Sequence, residues 1–547
     1  MLSILGSPLG LWRTKFLFIL SGLFRLCAGI AHFVRFGRQC ASSGLVHDSP
    51  EARQARIVEG RTRRLDEHGY VRVTEDQNVQ LIQTFIDSID EDAVCALASR
   101  LVHGGLPCRI VDKKRGSFNI CYFVEPGTRK EDSGCSKQPS RWVVRLPLGP
   151  AVVNPWEKIV NEVATVRYIQ QKTRIPVPRI RAYGRDPRLI KNENMAEGID
   201  NAREGQGYII SDFVDGASLD KKLLTTAEPE RRHAFCAQML SFLAGLRRLE
   251  FAKIGSLLPG NDDDETTTAT LGPILSMSDN ILRIPPTPVL AFSADYLRHG
   301  FAVTAEFFSD PIGQLEIEDA RKELYVLHKL EPLFLGLVSR HLDHGPFILQ
   351  HLDLRAHNIL VDDQLRIQAV LDWEFTSTVP LPIFTPPSWI TGHNAKDTRG
   401  VLHRDFRTVL HSKAKEDPLY QQLESEWYGE GGNEAPEKPL SIETTKRFCI
   451  AHILRQPSEA IEIFDDFLDT IDDPTCTTDE KKNARLARFF EDHPLLEVEA
   501  QRRCKQSQAY TRYLADNGLF ESRMDRLIHM KEEMAAKYGW KKKQLNG

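Results

Sequence analysis

Apolar residues at 81, 82, 85, 86, 94 and 97 fall at helical spacing and predict one helix over residues 80–102, after a charged, mostly polar stretch at 49–66. Two runs rich in β-formers follow, 118–124 (FNICYFV) and 142–146 (WVVRL). The first is preceded by the turn signal Lys114-Arg115-Gly116-Ser117, and a polar loop holding Gly127, Gly134 and Pro139 separates the two. Helical periodicity returns over 156–172, where Ile159, Val160, Val163, Val166 and Ile169 make an apolar face. Residues 177–183 and 208–214 read as two more strands on either side of a polar insertion at 186–206. Together these pieces predict a small sheet crossed by one helix.

Beyond residue 230 the pattern becomes mainly helical. Segments 231–248 and 317–343 carry helical spacing, and 257–288 interrupts them with an acidic run, a threonine run and Pro285-Pro286, which reads as a surface insertion. Two short strands, 358–361 and 367–371, flank the turn Asp362-Asp363-Gln364. From 444 onward the chain reads as charged helix, with 429–439 as the linker before it, and Lys541-Lys542-Lys543 closes it as a solvated charge run.

Composition adds limits. The 547 residues exceed one compact core, and a 41% hydrophobic, 27% charged chain with net charge −4 gives no electrostatic ground for nucleic acid as a partner. Ten cysteines are scattered without a C-x-x-C pair or a zinc-like cluster, so reduced thiols are expected and no zinc site is assigned. The first 47 residues contain no Asp or Glu but include Arg13, Lys15, Arg25, Arg35 and Arg38 among apolar positions. That pattern fits a mitochondrial targeting segment, with a cytoplasmic protein bearing an uninformative extension as the alternative. The segment lacks the roughly 20 uninterrupted apolar residues a membrane span needs, so membrane association is expected only through it, if at all.

The chemistry concentrates in His351-Leu-Asp-Leu-Arg-Ala-His-Asn358, followed by the hairpin and then Leu371-Asp372-Trp373-Glu374. Phosphoryl transfer needs a carboxylate to orient a hydroxyl and accept its proton, and oxygen ligands that hold magnesium across the phosphates. Asp353 and Asn358 have the five-residue offset that kinase loops use, and Asp372 follows after a hairpin. Asp353 is therefore assigned as the base, with Asn358 and Asp372 as metal ligands. His351 is expected to orient the loop, Glu374 to approach the metal or support it by hydrogen bonding, and His357 to pack beside the site.

The pattern H-x-D-x-x-x-x-N followed by Asp-Trp-Glu resembles the aminoglycoside phosphotransferase / choline-kinase-like family. Over roughly 108–393 the segments GSFNICYFVE, WVVRLP, NEVATVRYIQ, IPVPRI and LDWEFTSTVPLPIFTPPSW look like its fungal branch. The resemblance implies an α+β, bilobal protein-kinase-like fold with ATP and Mg2+ between the lobes. Carried over residue by residue, it implies that Gly116, Ser117 and Asn119 lie over the phosphates. Arg145 stands where protein kinases have a phosphate-gripping lysine, Glu162 fixes Arg145 by an ion pair, and 210–213, including Ser211 and Phe213, form the adenine-contacting hinge. In relatives that recognise aminoglycosides, acids in the helical region attract a cationic substrate, a part that 462–473 (EIFDDFLDTIDD) could play; a solvated helix face is the plainer reading.

The expected organisation is a targeting or disordered segment at 1–47, a helical extension at 48–107, an N-lobe at 108–216, a C-lobe at 217–428 and a helical region at 440–547. The function read from it is ATP- and Mg-dependent phosphorylation of a hydroxyl on a small molecule. A nucleotide-binding pseudokinase scaffold is the alternative, which Arg145 favours and the intact Asp353, Asn358 and Asp372 oppose. A protein kinase comes third, because Asp-Trp-Glu and the proline-rich 380–389 replace an activation segment.

Overall fold

The computed structural model describes residues 47–127, 140–191, 205–260, 269–429, 439–472, 474–475 and 478–519. The targeting expectation for 1–47, the linker core at 430–438 and the lysine run at 541–543 lie outside these residues, as do most of the insertion at 186–206 and the acidic part of the loop at 257–288. No helix among the described residues is long and apolar enough to cross a membrane.

Helix α1 (Pro50–Arg64) starts where the Ser49 side chain accepts from Ala52 N and Pro50 supplies a preset φ at the first position. It occupies the charged, mostly polar stretch at the start of the expected helical extension; its buried positions are only Ile57 and Gly60, too few for a periodic signal. The single helix expected at 80–102 is two: α2 (Glu75–Asp87), opened by a capping box of Thr74 and Gln77, and α3 (Glu91–Val102), opened by Asp90. The break falls at Ser88-Ile89-Asp90, where Ile89 forms a bridge to Ile190 and Asp90 N bonds Leu189 O (2.9 Å), so tertiary pairing overrides the helical period.

The N-lobe sheet is antiparallel, in the order β1-β2-β3-β5-β4: β1 (Cys108–Arg115), β2 (Asn119–Pro126), β3 (Trp142–Pro147), β4 (Ile180–Asp186) and β5 (Gln206–Asp212). Strand β1 is an addition to the expected set, and β4 begins three residues later than the sequence indicates. One face of the sheet packs with α2 and α3, where Ile82, Val94 and Leu97 meet Ile120, Tyr122, Val144 and Ile210. On the other side lies α4 (Pro155–Lys172), whose Ile159 and Val163 join Ile209.

The C-lobe is mainly helical around a large core that includes Leu240, Leu330, Trp373, Phe406 and Ile450. Helix Pro229–Arg247 lies close to its expected position, whereas Ile317–Leu335 starts as expected but ends eight residues before the expected 343. Strands Ile359–Val361 and Ile367–Val370 form the expected hairpin, its turn held by Asp362 Oδ1 accepting from Gln364 N and Arg366 N (both 2.9 Å). Ser377–Pro380 pairs with Phe347–Gln350, which places the start of the proline-rich segment inside a buried sheet. The fold is therefore bilobal α+β, a β-rich small lobe on a helical large one.

Candidate active site

Four elements converge between the lobes: the β1–β2 turn, α4, the loop after Phe347–Gln350, and the segment after the Ile367–Val370 strand. Strand Phe347–Gln350 is followed by His351, which is buried and fixes the loop 351–358, the candidate catalytic loop. The amide of Asp353 donates to His351 Nδ1 (3.2 Å), so that nitrogen is the acceptor, and Nε2 donates to Leu371 O (2.8 Å). Burial lowers the His351 pKa, which favours this neutral form. One imidazole thus ties Asp353 to the residue before Asp372, the orienting role expected of it.

Asn358 closes the same loop, its Nδ2 donating to Asp353 O (2.8 Å) and, more weakly, to Asp353 Oδ2 (3.4 Å). Leu371 N bonds Asn358 O (2.8 Å), drawing the next carboxylate alongside. Asp372 has φ +63°, a left-handed conformation that Asp tolerates better than most residues and that cleft residues often adopt. Burial, followed by the nearby Glu374 charge, pushes the Asp372 pKa up to about 6, against the opposing pull of Arg145 and Lys158.

Arg145, central in β3, reaches the Glu162 expected of it and also Asp372, a contact the sequence reading did not include. Nη1 donates to Asp372 Oδ1 (2.9 Å), and Nη2 ion-pairs with Glu162 on α4. A guanidinium fork can hold two carboxylates at once, which an ammonium on a flexible stem does less well.

Glu374 reaches beyond Asp372 to the N-lobe. Its Oε2 accepts from Asn119 Nδ2 (2.8 Å) and ion-pairs with Lys158, whose Nζ also donates to Asn119 Oδ1 (2.6 Å). All three are buried. Burial lowers the Lys158 pKa while the Glu374 charge opposes it. Lys158 is the site residue that the sequence reading lacks. Its one signal is its place four residues before Glu162, on a polar stripe of α4 (Lys158, Asn161, Glu162, Thr165) that is buried instead of solvated. Asn161 Nδ2 anchors the same face to Leu257 O (3.1 Å) and Thr376 O (3.4 Å).

Gly116 and Ser117 form the turn before β2, where Gly116 N bonds Asn119 O (2.8 Å). Ser211 lies within β5 between Val143 and Ile180, and Phe213 follows the strand with its amide taken by Arg141 O (3.0 Å). That amide is not free for a base, so hinge contacts through it are not available. The structure therefore brings Asn119, Arg145, Glu162, His351, Asp353, Asn358, Asp372 and Glu374 together, while Ser211 and Phe213 stay on the connecting strand.

Among the described residues no group of three or more His, Cys, Asp or Glu could hold a metal by itself. Magnesium in phosphotransfer sites uses one or two carboxylates with phosphate oxygens and waters, and the amide oxygen of Asn358 with the carboxylate of Asp372 fits that pattern. Three carboxylates, Glu162, Asp372 and Glu374, face two cations, Arg145 and Lys158, so one negative charge is left uncompensated in this cluster.

A cavity of about 290 Å³ opens on the other side of Asp353, walled by the catalytic loop, Thr385, Trp389 and the end of helix Ile442–Arg455. Trp389 Nε1 bonds Leu354 O (2.8 Å), so the proline-rich segment is its fixed wall. His357 is exposed on this cavity and does not pack on the metal side. A larger cavity of about 1010 Å³ lies behind the hinge, lined by Arg141, Arg167, Arg179 and Phe213 among others, and shares no residue with the catalytic loop. Three acids of 462–473 are engaged elsewhere: Asp465 pairs with Lys322 (2.5 Å), Asp466 with Lys396 (2.9 Å) and Asp469 with Lys482 (3.3 Å).

Solved structures similar to this chain include three transferases. Wild-type aminoglycoside 2'-phosphotransferase-IIIa in its GDP complex is 10% identical, with 76% of this chain and 98% of that one covered, TM-score 0.36. Macrolide 2'-phosphotransferase from Brachybacterium faecium is 15% identical (72% and 97%, TM-score 0.31), and the ethanolamine kinase of Plasmodium vivax is 13% identical (74% and 97%, TM-score 0.35). Likeness at this level bears on neither substrate nor mechanism. A curated relative, the clavilactone A biosynthesis cluster protein Y of Ampulloclitocybe clavipes, is 27% identical over 247 residues, 44% of this chain and 55% of that protein. The chain thus spans about half the length of the curated relative it matches. The model of the phosphotransferase enzyme family, APH, matches residues 129–381, a span that holds Arg145, Glu162, the loop 351–358 and Asp-Trp-Glu.

Proposed function

We propose that this protein is an ATP- and Mg2+-dependent kinase that moves the γ-phosphate to a hydroxyl of a small molecule. The observation that carries the reading is the junction of Asp353, Asn358 and Asp372, locked by His351 and flanked by an Arg145 that bridges Glu162 and Asp372. In this reading Asp353 accepts the hydroxyl proton as the acceptor oxygen bonds to the γ-phosphorus and the bond from that phosphorus to the bridging oxygen breaks, releasing ADP. Arg145 orients Asp372, and the β1–β2 turn covers the phosphates. Asn358 and Asp372 would hold magnesium, whose chemistry is to neutralise phosphate charge.

The cavity beside Asp353 is of small-molecule size, and a relative named for a biosynthesis cluster is consistent with a metabolite acceptor. A protein substrate fits less well, since the segment after Asp-Trp-Glu is a buried strand and cavity wall. The test is Mg2+-dependent ADP release with a metabolite mixture. Asp353→Ala is expected to lower the rate by at least about a thousandfold while leaving the thermal transition near that of the parent. Equal rates in both proteins would favour the pseudokinase scaffold instead.

A further inference from the structure

The cavity beside Asp353 has a charge pattern that the transfer reaction itself does not explain. Its wall carries three cations, Lys221, Arg355 and Arg455, against two carboxylates, Asp353 and Glu459. Both carboxylates are already engaged. Glu459 accepts from His452 Nε2 (2.6 Å), and Asp353 Oδ1 pairs with Arg355 Nε (2.5 Å). Arg455 is left with neutral partners only: Nη2 donates to Thr385 Oγ1 (2.7 Å) and more weakly to Ile383 O (3.3 Å), and its buried Nε has no partner. No carboxylate reaches it among the described residues. Burial pushes its guanidinium pKa down to about 10, the direction expected of a cation that lacks a counter-charge.

A guanidinium held in a cavity wall without an anion is costly unless a ligand supplies one. The ligand in question is not the nucleotide, because the cavity contains none of Gly116, Arg145, Glu162 or Asp372. Apolar side chains, Leu243, Leu246, Leu352, Leu354 and Trp389, share the remaining wall with polar ones such as Gln350, Thr385, Asn394 and Gln456.

We infer that the acceptor is a hydroxy acid, its anionic group, a carboxylate or a phosphate, held by Arg455 and drawing Arg355 away from Asp353. This rests on the kinase reading above and names its substrate class. Arg355 now occupies the Asp353 oxygen that an acceptor hydroxyl needs. An incoming anion offers Arg355 another partner, so the base is released only when the correct substrate arrives. Cationic acceptors are disfavoured by the same three side chains, and the acids at 465, 466 and 469 that could have drawn them are paired with lysines outside the cavity.

The experiment separates a fungal metabolite extract by ion exchange at pH 7 into anionic, neutral and cationic pools. Each pool is incubated with γ-labelled ATP, Mg2+ and either the parent enzyme or Asp353→Asn. Asp353-dependent label is expected in a product of the anionic pool. Carboxylate and phosphate acceptors are then distinguished by treating that pool with phosphatase beforehand, which removes only the latter. For the labelled acceptor, Arg455→Gln is expected to raise KM at least tenfold, and Arg455→Lys to recover part of the loss in a protein that melts at the parent temperature. Label confined to the neutral or cationic pool, with Asp353 still required, overturns the inference and leaves the kinase reading standing. An unchanged KM in Arg455→Gln overturns it as well. Label independent of Asp353, or absent from every pool, removes the kinase reading and this inference with it.

Discussion

Removing one member of a buried ion pair strands the other charge where water cannot reach it, and Lys158 and Glu374 form such a pair. Lys158→Met is expected to cost about 3–5 kcal/mol, as is Glu374→Leu, whereas the double variant loses well under the sum. Urea unfolding of the four proteins measures this, and additive losses would show that the pair is not coupled. Arg145 permits a second test. Lysine in its place cannot span Glu162 and Asp372 together, so one charged hydrogen bond worth about 1.5–3 kcal/mol is lost, or roughly tenfold to a hundredfold in kcat/KM. Steady-state kinetics of Arg145→Lys checks it, and parent-like turnover would mean that the fork is not used. These residues were unequally legible. Asp353, Asn358 and Asp372 are fixed relative to each other by one loop and one hairpin, so linear spacing carries their geometry. Lys158 meets Glu374 across 216 positions of chain, and a lysine between charged neighbours on a helix reads as solvent-facing.

At the scale of elements, the strands and helices that were legible are those buried on one regular face, such as β2, β3 and α4. Strand β1 is exposed along most of its length and reads CRIVDKKR, so its pairing with β2 defines it where its own pattern does not. The break between α2 and α3 likewise depends on a partner a hundred residues away. The C-lobe helices hide a pH sensitivity that their sequences do not announce. His403, in helix Val401–Ala414, is buried between Thr398 O (2.8 Å) and the Tyr428 hydroxyl (3.2 Å), and burial pushes its pKa down to about 4. His393 is pushed down to about 3, also by burial. A depressed value in the folded state means that the unfolded chain takes up the proton first. Stability is therefore full above about pH 6.5, the unfolded histidine value, and falls as pH drops toward 4. At pH 5 the loss is on the order of 2 kcal/mol for His403 alone. Urea midpoints at pH 7.5 and pH 5 should converge by about that amount in His403→Gln, and an unaltered pH slope would assign the acid lability to other groups.

For the whole molecule, a succession of strands followed by a succession of helices was enough to read two lobes, but not how the N-terminal helices join them. Helix α1 lies on the C-lobe, its Ile57 packed with Leu282, Ile284 and Val303, while α2 and α3 pack on the N-lobe sheet. The turn between them rests on the last described helix, where Tyr70 contacts Tyr510 and Tyr513 with ring centroids 5.5 and 4.9 Å apart. This strap is fastened by charge. Glu306, 3% exposed, accepts from Arg61 Nε (3.0 Å) and Arg64 Nη2 (2.7 Å), and Arg64 also holds Asp310 (2.8 Å). Taking away both arginines leaves Glu306 as an uncompensated buried carboxylate. Arg61→Ala/Arg64→Ala should therefore lose about 3–5 kcal/mol and expose the turn at 65–74 to proteolysis. Adding Glu306→Gln removes the stranded charge and should restore part of that stability while the strap stays loose. The two readouts separate the electrostatic cost from the mechanical one: a denaturant midpoint follows the charge, and the rate of limited proteolysis follows the strap. If the triple variant regains both, α1 is held by its apolar contacts and the arginines only neutralise Glu306. If it regains stability but stays susceptible to protease, the arginines are what fasten one lobe to the other.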